Sequence, residues 1–357
     1  MLNSLRISQF RAFKDLKIDR LGRVNLVVGK NNVGKTTLLE AVHLYASESA
    51  LNTLNRVLRR RQEYFIENRS EVISYSNLFY RKSEQSAPIE IGEIQGQDQL
   101  VIRRMWRFTD IAEDGEGERI RYSEHLPDDL ELEEIDATEV LRAKRGQNNF
   151  ESMSIHSGRY SHRLRSKYEG STSSLFLPFA GFQDDSIDPA NLWDRIALTD
   201  KEFDILIALK VIDPDLERIV FIGDAPQRQV KVKLTGQDPI SLRSLGDGMN
   251  RLFELTLGLV SVPEGKTFLV DEIDAGLHFT TLVDVWRLIF RVAENLNIQV
   301  FATTHSWNCI EAFQQAAVEH SAEGFLIRLE KGEEGIRAEV FSEEDLTIIT
   351  RQSIEVR

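Results

Sequence analysis

The chain is 357 residues long, 41% hydrophobic and 28% charged, the proportions of an ordinary globular protein that can bury one large core or two smaller ones. Cys309 is its only cysteine, which excludes an intramolecular disulfide framework and suits a cytoplasmic home. The formal net charge of -13 sets the summed field against nucleic acid, so any DNA contact has to be local, and no apolar run approaches the roughly 18 residues that span a bilayer.

Met1-Leu2-Asn3-Ser4-Leu5-Arg6 has no secretory-signal pattern. Alternation then predicts strands at 5–8 and 16–18, and the nearly all-apolar run 24–28 reads as a parallel strand covered on both faces. Gly29 ends it. Beyond Lys35, Leu38, Leu39, Ala41, Val42 and Tyr45 recur at helical spacing, so a strand, a glycine loop and a helix follow one another. From 51 to 171 the pattern weakens into a helix through Arg61, strand-like pieces at 89–94 and 100–108, and a polar stretch. That stretch holds the acidic run Asp128-Asp129-Leu130-Glu131-Leu132-Glu133-Glu134 and a mixed segment at 142–167. It reads as an insertion, without the sustained heptads of a coiled coil. The basic clusters Arg56, Arg59, Arg60, Arg61 and Arg159, Arg163, Arg165, Lys167 read as solvated helix faces.

Regular signals return near Leu175, with a helix at 201–210, strands at 219–222 and 230–234, a buried strand at 268–270, an amphipathic helix at 280–293 and a strand at 300–303. This alternation marks an α/β layer architecture. A hairpin at 325–329 and 336–341 and a short helix close the chain.

Gly29-Lys30-Asn31-Asn32-Val33-Gly34-Lys35-Thr36 matches the phosphate-binding loop GxxxxGK[ST] at every fixed position, and Thr37 follows. Glycines let the backbone turn its N–H groups around the β- and γ-phosphates, Lys35 supplies a point charge, and the Thr36 hydroxyl is of the type that ligates Mg²⁺. The helix behind the loop points its positive end at the anion. Phe268-Leu269-Val270-Asp271-Glu272 ends an apolar strand with two carboxylates. Asp271 is expected in the Mg²⁺ shell, with Glu272 beside the γ-phosphate to orient or deprotonate water. Ser244-Leu245-Gly246-Asp247-Gly248 opens an apolar helix, Asp274-Ala275-Gly276-Leu277-His278 follows the acidic pair, and His305 stands just past a strand, within reach of a γ-phosphate. His156 and His162, six apart, suit no zinc site, and Asp213-Pro214-Asp215 reads as a turn rather than a metal pair.

The order of these pieces resembles that of ABC-type ATPases, and Ile7-Ser8-Gln9-Phe10-Arg11-Ala12-Phe13 looks like the opening strand of the SMC and RecF branch. The chain thus resembles the SMC/RecF/OLD (overcoming-lysogenization-defect) group over residues 1–47 and 241–306. The Ser-Leu-Gly-Asp-Gly signature is closest to the OLD-like members. In full-length members a Toprim nuclease domain follows the ATPase; only about 50 residues follow His305 here, at the bottom of the ordinary range for a domain, and they carry no DxD pair.

The resemblance implies an α/β fold, an ABC-type P-loop ATPase head with a mixed-sheet lobe, a helical lobe and an α+β insertion. The head would comprise 1–48 and 172–342, the insertion 49–171 and the tail 343–357. It implies ATP and Mg²⁺ as ligands and a head-to-tail homodimer in which Ser244, Gly246 and Gly248 of one chain, with Asp274, meet the nucleotide on the other's loop. Arg11 would touch the nucleotide or serve the surface, and Gln183 is the candidate for coupling nucleotide to the lobe interface. The leading expectation is a regulatory ATPase controlling a separate effector, a nuclease or toxin, in bacterial anti-phage defence. The alternative is a RecF-like ATP-dependent DNA clamp.

Overall fold

The nearly all-apolar strand Val24–Val28, broken only by Asn25, is wholly buried at the centre of a sheet that three helices cover on one face and helix Lys35–Ala46 with a second sheet covers on the other. A computed structural model describes residues 1–67, 70–75, 77–80, 87–111, 118–124, 137–146, 149–155, 174–182, 187–224, 228–320 and 324–352. The acidic run at 128–134, the basic cluster at 159–167, His156, His162 and Gln183 lie outside the described residues.

In the central sheet the strands Ser174–Leu177, Thr267–Val270, Gln299–Thr303, Val24–Val28 and Gly324–Gly332 lie side by side in parallel, and Gly335–Phe341 closes the edge antiparallel. Because side chains alternate across a strand, Val24, Leu26 and Val28 enter one core with the helices Asp247–Ser261, Leu282–Asn295 and Trp307–Val318. Val27 enters the other, with helix Lys35–Ala46. The second sheet is antiparallel, in the order Asn149–Ser154, Thr138–Arg145, Leu100–Ile111, Ile89–Gly92, Leu5–Phe10, Phe13–Ile18, with Glu118–Ser123 also paired to Leu100–Ile111. Strands within 49–171 therefore lengthen the sheet that the first two strands begin. A small sheet, Leu216–Ile222, Gln229–Leu234 and Ile240–Ser241, and the helices Pro189–Ile196 and Asp200–Lys210 pack around helix Asp247–Ser261.

Two helices go beyond the sequence expectation. Pro189–Ile196 is only 8 residues long, too short for a periodic signal, and starts where the Asp188 carboxylate accepts from Ala190 N at 2.9 Å. Trp307–Val318 buries small Ala312, Ala316 and Ala317, which blur its apolar stripe. Arg56, Arg59 and Arg60 lie on the amphipathic helix Ala50–Arg60, and Asp213 and Asp215 lie in the turn after Asp200–Lys210, where Asp213 Oδ1 accepts from Asp215 N at 3.0 Å. Among the described residues no group of three or more His, Cys, Asp or Glu is arranged to hold a metal, and no helix is long and apolar enough to cross a membrane.

Gln299, 2% exposed, ties the N-terminus to the centre: its Nε2 donates to Leu2 O and Gly22 O at 2.8 Å each, and its Oε1 accepts from Leu2 N at 2.9 Å. Gln299→Leu strands those main-chain groups and is expected to lower the unfolding free energy by about 2–4 kcal/mol, measured in urea.

Candidate active site

Four segments meet at the carboxyl ends of neighbouring parallel strands, the place where open α/β sheets hold ligands. Loop 29–37 follows Val24–Val28, Asp271 and Glu272 follow Thr267–Val270, Thr303, Thr304 and His305 end Gln299–Thr303, and Pro178 follows Ser174–Leu177.

The loop is braced from two sides. Gly29 has φ 141°, and a Cβ there would lie 2.4 Å from Leu329 O. Gly34 has φ 93°, and its Cβ would meet the Phe13 ring at 2.9 Å, so the hairpin of the first two strands supports the loop from below. Lys35, 6% exposed, donates from Nζ to Gly29 O at 2.8 Å and Lys30 O at 3.2 Å. Burial lowers its pKa, against the opposing pull of Asp271 and Glu272. Lys30, Asn31 and Asn32 stand exposed at the mouth, whereas Val33 and Thr37 are buried.

Thr36 Oγ1 donates to Asp271 Oδ2 at 3.0 Å. The other carboxylate oxygen accepts from Thr303 Oγ1 at 2.6 Å, and that hydroxyl accepts Glu272 N at 2.8 Å. Glu272 has φ 47°, a left-handed conformation that its surroundings hold in place. His305 Nδ1 lies 3.3 Å from Lys35 Nζ and its Nε2 lies 3.9 Å from Glu272 Oε1. An ammonium only donates, so Nδ1 is the acceptor there. Thr304 Oγ1 donates to Asp274 Oδ1 at 2.6 Å, fixing the segment beyond the acidic pair. The structure thus gathers Gly29, Gly34, Lys35, Thr36, Asp271, Glu272, His305 and, through Thr304, Asp274. A hydroxyl and a carboxylate at this spacing are hard oxygen donors of the kind Mg²⁺ takes, so the residues fit such an ion.

Other expected residues stand apart. Ser244 and Gly246 are exposed and Gly248 half-buried, and among the described residues no hydrogen bond or ion pair joins them to the loop of their own chain. Gly246, φ 97°, separates the short 3-10 turn Leu242–Leu245 from helix Asp247–Ser261. A surface role for Arg11 is corrected: its side chain is 7% exposed, with Nη1 2.7 Å from Glu63 Oε1 and Nε 3.2 Å from Glu40 Oε2. Arg61 stays exposed at the C-cap of helix Ala50–Arg60, and its Nε also donates to Glu40 Oε1 at 2.6 Å. Burial pushes the Glu40 carboxyl up, against the pull of Arg11 and Arg61. Thr303 is the residue that sequence reasoning missed; a hydroxyl ending a buried strand beside His305 was the available signal.

Residues 24–310 match the model of the family described as AAA domain, putative AbiEii toxin, Type IV TA system. The chain belongs to this family. It is an ATPase, with an ABC-type fold of the SMC/RecF class. Over 343 residues the ATPase is 25% identical to the ATP/GTP phosphatase of Helicobacter pylori, covering 88% of each chain. A shorter stretch of 43 residues is 44% identical to the DNA replication and repair protein RecF of Oenococcus oeni, 12% of each chain. The SMC head bound to the C-winged helix domain of ScpA covers 98% of this chain and 99% of that one with a TM-score of 0.51 at 15% identity, a likeness of fold alone.

Thr303→Val removes the hydroxyl shared by Asp271 and Glu272. The variant is expected to fold and to hydrolyse ATP about 10–100-fold more slowly in a phosphate-release assay.

Proposed function

We propose that the ATPase is a regulatory switch: two copies close head to tail around ATP, hydrolysis releases them, and the two states control a separate effector protein. The observation that carries this reading is the convergence of Thr36 and Asp271 at 3.0 Å beside Lys35, His305 and Glu272, while the signature residues Ser244 and Gly246 face outward on the same chain. A loop and acidic pair gathered on one side, and a signature exposed and unconnected to them among the described residues, suit a symmetric dimer in which each half completes the other.

Lys35 neutralises the β- and γ-phosphates once they displace its ammonium from Gly29 O and Lys30 O. Main-chain N–H groups of loop 29–37 hold the triphosphate, Asn31 and Asn32 stand at its mouth, and Arg11 would reach the nucleotide on leaving Glu40 and Glu63. Thr36 and Asp271 would hold Mg²⁺, which supplies charge neutralisation for the departing phosphate. Glu272 takes the proton of the attacking water, and His305 orients that carboxylate and the γ-phosphate. Asp274, held by Thr304, faces the dimer partner with Gly248 and its neighbours.

The Ser-Leu-Gly-Asp-Gly signature supports an OLD-like subgroup, and a family description that names a toxin–antitoxin system supports an effector nuclease or toxin in anti-phage defence. A RecF-like DNA clamp is the second reading, favoured by the 43-residue stretch that is 44% identical to RecF. Salt-steep DNA binding that appears only with ATP is its signature.

Lys35→Ala is expected to abolish ATP binding in calorimetry with Mg²⁺; retained affinity removes the loop from the reading. Glu272→Gln is expected to bind ATP and to accumulate as a dimer in light scattering, with turnover reduced about 100-fold or more. A monomer at saturating ATP overturns the switch.

A further inference from the structure

Arg251 lies on helix Asp247–Ser261, three residues beyond Gly248, and is 6% exposed. Its guanidinium ties three main-chain carbonyls on two segments: Nη1 donates to Pro178 O at 3.0 Å, and Nη2 donates to Asp271 O at 2.8 Å and Glu272 O at 3.1 Å. A planar fork with five donors can bridge such points, whereas a single ammonium is a compact point charge on a flexible stem. Burial lowers the pKa of the group, and the surrounding carboxylates of Glu254, Asp271, Asp274 and Glu272 act in the opposite sense.

The bond to Glu272 bears on chemistry because that residue has φ 47°, a conformation sustained only where neighbours fix it. Thr303 Oγ1 takes the N–H of Glu272 and Arg251 takes its carbonyl, so the peptide groups on both sides of its α-carbon are held. The direction of the carboxylate follows from them. At the other end of the connection the helix presents its exposed start, Gly246 and Asp247, to solvent. Gly248 lies so close to Gly276 that a Cβ would sit 2.8 Å from Gly276 O, so this end of the helix is in contact with the segment that follows the acidic pair. A displacement of the helix start therefore reaches Glu272 by two routes, through Gly276 and through Arg251.

We infer that Arg251 is a positioning residue for hydrolysis, which carries the state of the outward-facing helix end 244–248 to the Glu272 carboxylate of the same chain. The inference rests on the role given to Glu272 above. A second copy whose nucleotide meets 244–248 thereby aligns the carboxylate next to the first copy's own nucleotide, and the two sites fire together.

Arg251→Lys keeps the charge and loses the fork. In the full chain, kcat is expected to fall at least about tenfold while KM and the calorimetric ATP affinity stay within about threefold. In a Glu272→Gln background the same substitution is expected to slow single-turnover hydrolysis by less than about twofold, because both changes act through one carboxylate. An unchanged kcat, an affinity that falls in step with kcat, or full additivity in the double variant overturns the inference. Arg251→Gln, which retains a planar amide, is measured alongside; if neither variant folds, the arginine is a structural peg and the inference is wrong. A parental rate for Glu272→Gln alone, together with a slow Arg251→Lys, refutes the base assignment instead, so the two failures are distinguishable.

Discussion

Every polar group of Asp271 is used. Its carboxylate takes the Thr36 hydroxyl on one oxygen and the Thr303 hydroxyl on the other, its N–H donates to Leu177 O at 2.9 Å, and its carbonyl is held by Arg251. Four segments far apart in sequence are thereby locked around one side chain, and a network so fully satisfied in a partly buried setting is rigid. An ionised carboxylate has about four lone-pair sites, so two hydroxyl bonds leave acceptor capacity that can face a cation.

The glycine loop shows the same logic of support from outside. Leu329 O presses on Gly29 and the Phe13 ring on Gly34, so the loop is shaped by residues near both ends of the chain, and its buried lysine is held by the loop's own carbonyls. Such a cradle is organised before a ligand arrives, which is the condition under which fixed dipoles are most effective at a developing charge. Behind it, Arg11 and the buried Glu40 of the loop's helix form an ion cluster with Glu63 and the exposed Arg61. An ion cluster of this kind is weak evidence for stability, because desolvation offsets its attraction.

The elements that were legible in the sequence are those with strong local signals. Val24–Val28, Lys35–Ala46, Thr267–Val270 and Gln299–Thr303 were each expected within about two residues, because apolar runs and glycine punctuation mark them. The pairing of Leu5–Phe10 with Ile89–Gly92 was not, since register between strands some 80 residues apart leaves no trace in either strand alone. Within the site, the loop and the acidic pair are read from residue type. The partners of Arg11 depend on how a two-residue turn with φ 51° aims the side chain, and Thr303 matters through hydrogen bonds that only the folded sheet creates.

The central strand Val24–Val28 is flanked by Gln299–Thr303 on one side and Gly324–Gly332 on the other. During synthesis it leaves the ribosome first and waits for both neighbours, an interval of tens of seconds at about 5–20 residues per second. Throughout that time a nearly all-apolar β-segment has neither edge satisfied, so the nascent protein carries an aggregation hazard that its finished form conceals. Chaperone occupancy that lasts until the final strands emerge is the natural remedy for such a topology.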